Sequence, residues 1–491
     1  MTTDAQLIAW LKNDTPAARC VLLEVNVRVA GVEITRYISD RGYTTSPSDT
    51  PSNTYYEPLI SGGVQFTEEL QIDGSTSFSS GTIELYNLSG YIDSWLDDVW
   101  DNRSIKVYIG DITWSRSDYY KIFDGIVAAV DSPSREVFQM TMSDKSQRLN
   151  TTMSEVKLGG STTNSDKLIP LLFGECYNIT PLLIDSTLEK YQVHNGPIER
   201  IIEVRDNGAP VNFTADVTTG TFVLNQAATG TITCSAQGYK PVFYSNNVSE
   251  LIQAIVVNYG NINQKLTTAD LDTASLTTFA SANMQPVGIY ITDKANVMDV
   301  CNSLATSIGA RVAFNRQGLL YLVKLDLTGA AGGTVVTADD IELWSMAITS
   351  RPTVVAAVKV GYCKNYTVQT ALAAGLPPNH AVLFGQDFIT TTASDATVAA
   401  NYKLFTDPVT EETQLLQTVD AVAEANRRLN LFKVQRKIVQ YTGLAYLMLE
   451  KLGSFQTVKN KRFGLSAGMA GQIVSLTTDW INARITIGVL I

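Results

Sequence analysis

The sequence predicts a mainly β fold with an α+β insert, in which two barrel-like β domains flank a small antiparallel β domain and an α+β module. Three observations predict it. Apolar and polar residues alternate with period two in many short runs, and turns containing Gly, Asp or Ser separate those runs. A helical period replaces this pattern mainly in the middle of the chain. Charged residues make up only 17%, against about 25% in an average soluble protein, and Ser, Thr, Asn and Gly fill the difference.

The chain has 491 residues, a prior of roughly three domains at about 150 residues each. The pattern divides it further, into 1–150, 160–245, 246–325 and 326–491. In the first segment, Thr3 and Gln6 form a capping-box pair, with Leu7, Ile8 and Leu11 as a short apolar helix face. After Pro16 the pattern turns strand-like, through Cys20 to Val29 and Val32 to Tyr37. Tyr43 to Tyr56, rich in Ser, Thr and Pro, reads as a loop. Strands follow around Val64 to Thr67, Ser79 to Tyr86, Ile105 to Asp111, Tyr120 to Val127 and Val137 to Met142. Tyr91 to Trp100 reads as a short helical insert with Ile92, Trp95, Leu96 and Val99 on one face.

A polar linker, Thr151 to Asp166, leads into the second segment. There Ile201 to Arg205 followed by Asp206-Asn207-Gly208 signals a hairpin, because a two-residue turn of positive φ favours Asn-Gly. Thr221 to Leu224 and Thr231 to Ser235 are further short strands. In the third segment Val248, Leu251, Ile252, Ile255, Val256 and Tyr259 form one helix face, with Asn247 as cap and Gly260 as stop. A second helix starts near Asn296, with Val297, Val300, Cys301, Leu304 and Ile308 inward and Gly309 ending it. Arg311 to Val323 reads as a hairpin turning at Gln317-Gly318. The last segment returns to strands, at Ala356 to Tyr362, Ile438 to Tyr441, Phe455 to Val458, Ile473 to Leu476 and Arg484 to Leu490. One helix, Leu415 to Phe432, interrupts them, and Val368 to about Ala400 reads as long, polar and irregular.

Composition excludes several functions. The net charge is -11, against the clustered basic footprint of a nucleic-acid binder. No apolar run reaches the length of about 18 residues that a membrane-spanning helix needs. Met1-Thr-Thr-Asp lacks the basic and apolar regions of a secretory signal. The two histidines, His194 and His380, have no second ligand in register, so neither marks a zinc site. Cys20, Cys176, Cys234, Cys301 and Cys363 are dispersed and odd in number, which fits thiols in a reducing cytoplasm rather than a disulfide framework.

The remaining motifs carry no convincing chemistry. Gly464-Leu-Ser466-Ala-Gly468 matches a nucleophile elbow, but no histidine follows His380 and the context is strand–turn–strand. Asp97, Asp98 and Asp101, and Asp339 with Asp340, lack the order of a calcium loop. Asn178-Ile-Thr180 and Asn247-Val-Ser249 match a glycosylation triplet by chance in a Ser/Thr-rich chain. No dinucleotide or phosphate loop is present. The expectation is a non-enzyme with no catalytic, metal or cofactor site.

A series of segments carries a resemblance. Tyr120-Lys-Ile-Phe-Asp-Gly-Ile-Val, then Val137-Phe-Gln-Met-Thr-Met-Ser-Asp and Leu149, is followed by Leu168-Ile-Pro-Leu-Leu-Phe-Gly-Glu-Cys-Tyr-Asn-Ile-Thr-Pro. Tyr191-Gln-Val-His, Val204-Arg-Asp-Asn-Gly, Ile308-Gly-Ala-Arg-Val-Ala-Phe-Asn-Arg-Gln-Gly-Leu-Leu and Val360-Gly-Tyr-Cys-Lys-Asn-Tyr-Thr-Val-Gln come next. Leu449-Glu-Lys-Leu-Gly-Ser-Phe and Ala470-Gly-Gln-Ile-Val close the series. In this order they resemble the baseplate hub (tail tip) proteins of long-tailed bacteriophages, over most of 100–491. One departure is Leu452-Gly-Ser454, where the family pattern has Leu-Gly-Asp.

The resemblance implies a homotrimeric ring at the distal end of a phage tail, in the virion, assembled in the bacterial host cytoplasm. Two barrel-like domains per chain would give the trimer pseudo-sixfold symmetry, adapting a sixfold tail tube to a threefold tip. Implied partners are the tail tube or a distal tail protein, and central tip or fibre proteins. Genomic DNA would pass through the channel without specific binding, helped by the acidic balance. A hexameric distal tail protein is the alternative within virions. A carbohydrate-binding adhesin is the alternative of another class, with Trp95, Trp100 and Trp114 as its only local aromatic cluster. A tail hydrolase is a third.

Overall fold

The computed structural model describes residues 2–13, 18–72, 79–328 and 333–491. Pro16, where the strand pattern is expected to begin, lies outside them. The chain divides into two compact units, each drawn from separated stretches. One comprises Met1–Arg148, Val312–Pro352 and Arg436–Ile491; the other comprises Leu149–Arg311 and Thr353–Gln435. These units cut across the segment 326–491, whose two ends lie in the first unit and whose middle lies in the second.

The first unit is built on one 15-stranded sheet. From one end it runs Ala347–Ser350, Ile438–Gly443, Arg484–Leu490 and Met469–Asp479. It continues through Ile60–Glu69, Ser79–Tyr86, Val137–Ser143, Tyr120–Ser134, Ser104–Asp111, Arg19–Val29 and Val32–Ser39, and ends on Tyr55–Pro58 and Tyr43–Thr44. Phe455–Val458 pairs on Met469–Asp479 off this path, and Thr334–Val336 pairs with it in turn. The β segments from the two ends of the chain meet where Met469–Asp479 runs antiparallel to Ile60–Glu69, with Thr477 opposite Thr67. Their hydroxyls are 3.2 Å apart.

The mainly β class is therefore observed, but no sheet closes into a barrel among the described residues. The physical reason is the Thr67–Thr477 junction. A strand that bonds to the partner segment is unavailable to close its own. The core behind the sheet is read from alternation: Val21, Leu23, Val25 and Val27 are buried from Arg19–Val29, and Ile485, Ile487 and Val489 from Arg484–Leu490. Phe66 stacks on Phe123 at 4.4 Å beside the junction. The Asp4–Lys12 helix has the expected capping box and buries Leu7 and Leu11. Tyr91 to Trp100 forms short 3₁₀ turns rather than an α-helix, and Leu96 and Val99 are exposed.

The second unit holds two antiparallel sheets from 160–245. In one, Ala209–Pro210, Ile198–Asp206, Ile232–Tyr239 and Leu171–Ile179 are extended at the edge by Gly288–Ile291. The other orders Leu182–Asp185, Lys190–Gln192, Thr221–Leu224 and Phe213–Asp216. The Asn207-Gly208 turn has φ of 46° and 82°, as a tight hairpin requires. Helices Val248–Asn258 and Val297–Ser307 pack together and are capped by Asn247 and Asn296 as expected. A helix at Thr273–Ala282 was not expected. The stretch read as irregular contains helix Pro378–Phe384, strand Ile389–Ser394 and helix Ala396–Tyr402. Ile389–Ser394 joins Ala357–Tyr362 and Thr410–Glu412 in a three-stranded sheet.

Candidate functional site

The residues singled out from the sequence resolve into structural roles. His194 is fully buried, its Nδ1 accepts the Leu172 N–H at 2.9 Å, and its ring packs on Phe173 and Tyr239. Burial lowers its pKa to about 4, so it is neutral at pH 7. His380 lies on the Pro378–Phe384 helix against Phe384. All five cysteines are free thiols. Burial pushes the Cys20 thiol up to about 12 and those of Cys176, Cys234 and Cys301 higher still. Among the described residues, no three or more His, Cys, Asp or Glu side chains come together as a metal site.

Ser466 is exposed in the turn before Met469–Asp479, with no histidine near it in sequence. Asp98 pairs with Arg36 at 2.8 Å, and Asp340 caps Thr337. Asn247 is a helix cap, and Asn178 is buried in a left-handed backbone conformation. The three tryptophans separate. Trp95 and Trp100 pack with Phe138 under the Arg36 guanidinium, whereas Trp114 packs on Trp10. They do not form one aromatic groove.

Besides the short Thr334–Val336 edge, the sheet of the first unit presents two unlike edges. At one, Val32–Ser39 is paired on its outer side only through Ile38 and Ser39, leaving 32–37 open among the described residues. Val32 there is 62% exposed, and Ile34 is exposed too. At the other, Ala347–Ser350 pairs on one side only among the described residues, with Ile438–Gly443. Just before it Leu343 and Trp344 are 77% and 88% exposed, and Trp344 has φ of +69°, a conformation bulky residues rarely take. An open edge with apolar side chains is a template for another chain.

Inside the first unit, polar groups serve the fold. Arg116 donates to Glu24 at 2.6 Å and to the Tyr56 hydroxyl at 3.1 Å, and its guanidinium lies 3.7 Å from the Tyr108 ring centre. Tyr56 in turn donates to Glu24 at 2.6 Å. This set is internally satisfied and offers nothing to a ligand.

The second unit carries a cleft that the sequence did not point to. The excursion between strands Ala357–Tyr362 and Ile389–Ser394 folds over the sheet containing Ile198–Asp206 and Leu171–Ile179. Asn365 donates to the Phe384 and Gln386 carbonyls, Asn178 donates to Asn365 and Thr367, and Arg205 donates to the Gly208 carbonyl. Between them is a cavity of about 220 Å³. Its lining residues come from four distant stretches of sequence, and the signal that exists, the polar run after Tyr362, reads equally well as loop.

No family model matches the chain, and no curated protein matches its sequence. The solved structures to which it is similar include a tail protein from Neisseria meningitidis, at 10% identity and TM-score 0.39, covering 96% of both chains. A 43 kDa prophage tail protein from Shewanella oneidensis matches at 10% identity and TM-score 0.42, covering 96% of this chain and 98% of that one. A prophage tail protein from Listeria monocytogenes matches at 9% identity and TM-score 0.39, covering 96% and 94%. At TM-scores below 0.5 these likenesses decide nothing about function. No helix among the described residues is long and apolar enough to cross a membrane.

Proposed function

We propose that this chain is a structural protein of a phage tail, a baseplate hub that forms a ring at the distal end of the tail tube. The observation that carries the proposal is the single sheet of the first unit, built from both ends of the chain and open at unlike edges. Two unlike edges that meet head to tail make a heterologous contact, and such contacts close into rings when the rotation allows. The ordered sequence resemblance over most of 100–491 supplies the copy number, three, and the setting, the tail tip around the DNA channel. The partners under this reading are the tube or a distal tail protein on one side and tip or fibre proteins on the other. The role is structural rather than enzymatic.

Light scattering on the assembled protein tests this reading. A mass near three copies of the 53.5 kDa chain is expected. A mass near six copies points to the distal tail protein instead, and a stable monomer contradicts both.

A further inference from the structure

We propose that Asn195 is a site of spontaneous deamidation, and that the folded chain confines this reaction to Asn195 by shielding the chemically alike Asn207. Asn-Gly occurs twice in the sequence, at Asn195-Gly196 and at Asn207-Gly208. Asparagine is among the thermolabile residues, and a following glycine, with no Cβ, leaves its own amide nitrogen open to close approach. In the reaction the Gly nitrogen attacks the Asn Cγ; the new N–C bond forms and the Cγ–Nδ2 bond breaks. The proton of the attacking nitrogen leaves with the side-chain amide as ammonia. Water then opens the cyclic imide at either carbonyl and gives aspartate or isoaspartate. Water is the only co-reactant, and no oxidant or reductant is involved.

The two sites differ in what holds them. Asn195 is exposed, in the bend between strands Lys190–Gln192 and Ile198–Asp206, and its side chain makes no hydrogen bond among the described residues. A Cβ placed on Gly196 would meet nothing within 4 Å, so no neighbour crowds the attacking residue. The Gly196 N–H donates to the His194 carbonyl at 3.1 Å, across a three-residue turn. When that contact opens the carbonyl still has a donor, the Gln192 Nε2 at 2.6 Å. Asn207, by contrast, is tied down. Its Oδ1 accepts the Thr231 N–H at 2.9 Å, its N–H donates to the Thr231 carbonyl at 3.0 Å, and its own carbonyl accepts from the Ala373 N–H at 2.8 Å. Gly208 is buried, with Leu372, Leu376 and Phe384 packed where a Cβ would stand. To close the ring, Asn207 must give up the Thr231 bond and turn within a hairpin paired through Asp206 and Ala209. Conversion at Asn195 adds a carboxylate, and in the isoaspartyl form a further main-chain carbon, directly after His194, whose Nδ1 holds the Leu172 N–H.

The test is incubation of the full chain in heavy-oxygen water at mildly alkaline pH, folded in buffer and unfolded in guanidinium chloride, followed by peptide mapping with mass spectrometry. The heavy oxygen marks conversions that precede digestion, and the incubation runs until half of the Asn195 peptide of the unfolded chain has converted. In the unfolded chain the two dipeptides are expected to convert at similar rates. In the folded chain Asn195 is expected to convert at least about tenfold faster than Asn207, with isoaspartate among its products. Asn195→Gln, a change at an exposed position, is expected to remove the labelled product from its own peptide and leave the Asn207 peptide as in the parent. An intact Asn195 in the folded chain at that time overturns the proposal, as does an Asn207 that converts as fast as Asn195.

Discussion

Gly125, in the Tyr120–Ser134 strand, stands where no side chain fits. A Cβ there would lie 2.3 Å from the Ser143 carbonyl oxygen and 2.6 Å from the Phe123 ring. Gly125→Ala is expected to lower stability in urea by about 1–3 kcal/mol, whereas Gly62→Ala, which meets open space, stays within about 0.5 kcal/mol. His194 sets a pH dependence. Its pKa is about 4 in the folded chain and about 6.5 unfolded, so between those values the unfolded chain holds a proton that the folded chain does not. Its contribution is complete above about pH 6.5 and is lost as the pH falls towards 4, by about 3 kcal/mol in all. His194→Gln keeps an acceptor for the Leu172 N–H, and its urea midpoint is expected to fall less than the parent's over that window. At this scale the sequence was informative about what His194 is not. It could not show the hydrogen bonds from Asn178 to Asn365 and Thr367, because those partners lie nearly two hundred positions away.

Among the elements, the Val248–Asn258 helix depends on Asn247, whose side chain accepts from the Ser249 N–H and donates to the Ala280 and Asn283 carbonyls. Asn247→Ala is expected to cost about 1–2 kcal/mol in thermal or urea unfolding. That helix, the Val297–Ser307 helix and the Asn207-Gly208 hairpin were legible because cap, apolar stripe and stop residue agree. Thr273–Ala282 was not, since only Leu276 is buried and its Ser/Thr-rich sequence shows no apolar face. The excursion after Tyr362 was misread for a related reason. Its helix Pro378–Phe384 has no buried residue, and Cys363 turns the strand out with a φ of 51°. The two open sheet edges make their own prediction. Ile34→Lys and Trp344→Ser act on exposed positions, so each is expected to leave the melting temperature unchanged while shifting the assembled species towards monomer in light scattering.

For the molecule as a whole, period-two patterning announced a β protein but not which strands pair. Nothing in Thr67 or Thr477 names the other across more than four hundred residues, and a strand's alternation fixes its faces, not its neighbour. Two separate barrels were the natural expectation; the strands of both segments instead join in one sheet that is not closed among the described residues. The acidic balance predicts that the assembled protein shows no strong, salt-sensitive binding to duplex DNA, measured by fluorescence anisotropy across a salt series. The most direct test of the whole account is a map of the phage tail tip with this chain traced in it. A ring of three copies around the central channel, at the end of the tail tube, is the predicted result. Finding the chain in the capsid, or as a peripheral fibre outside any ring, would contradict it.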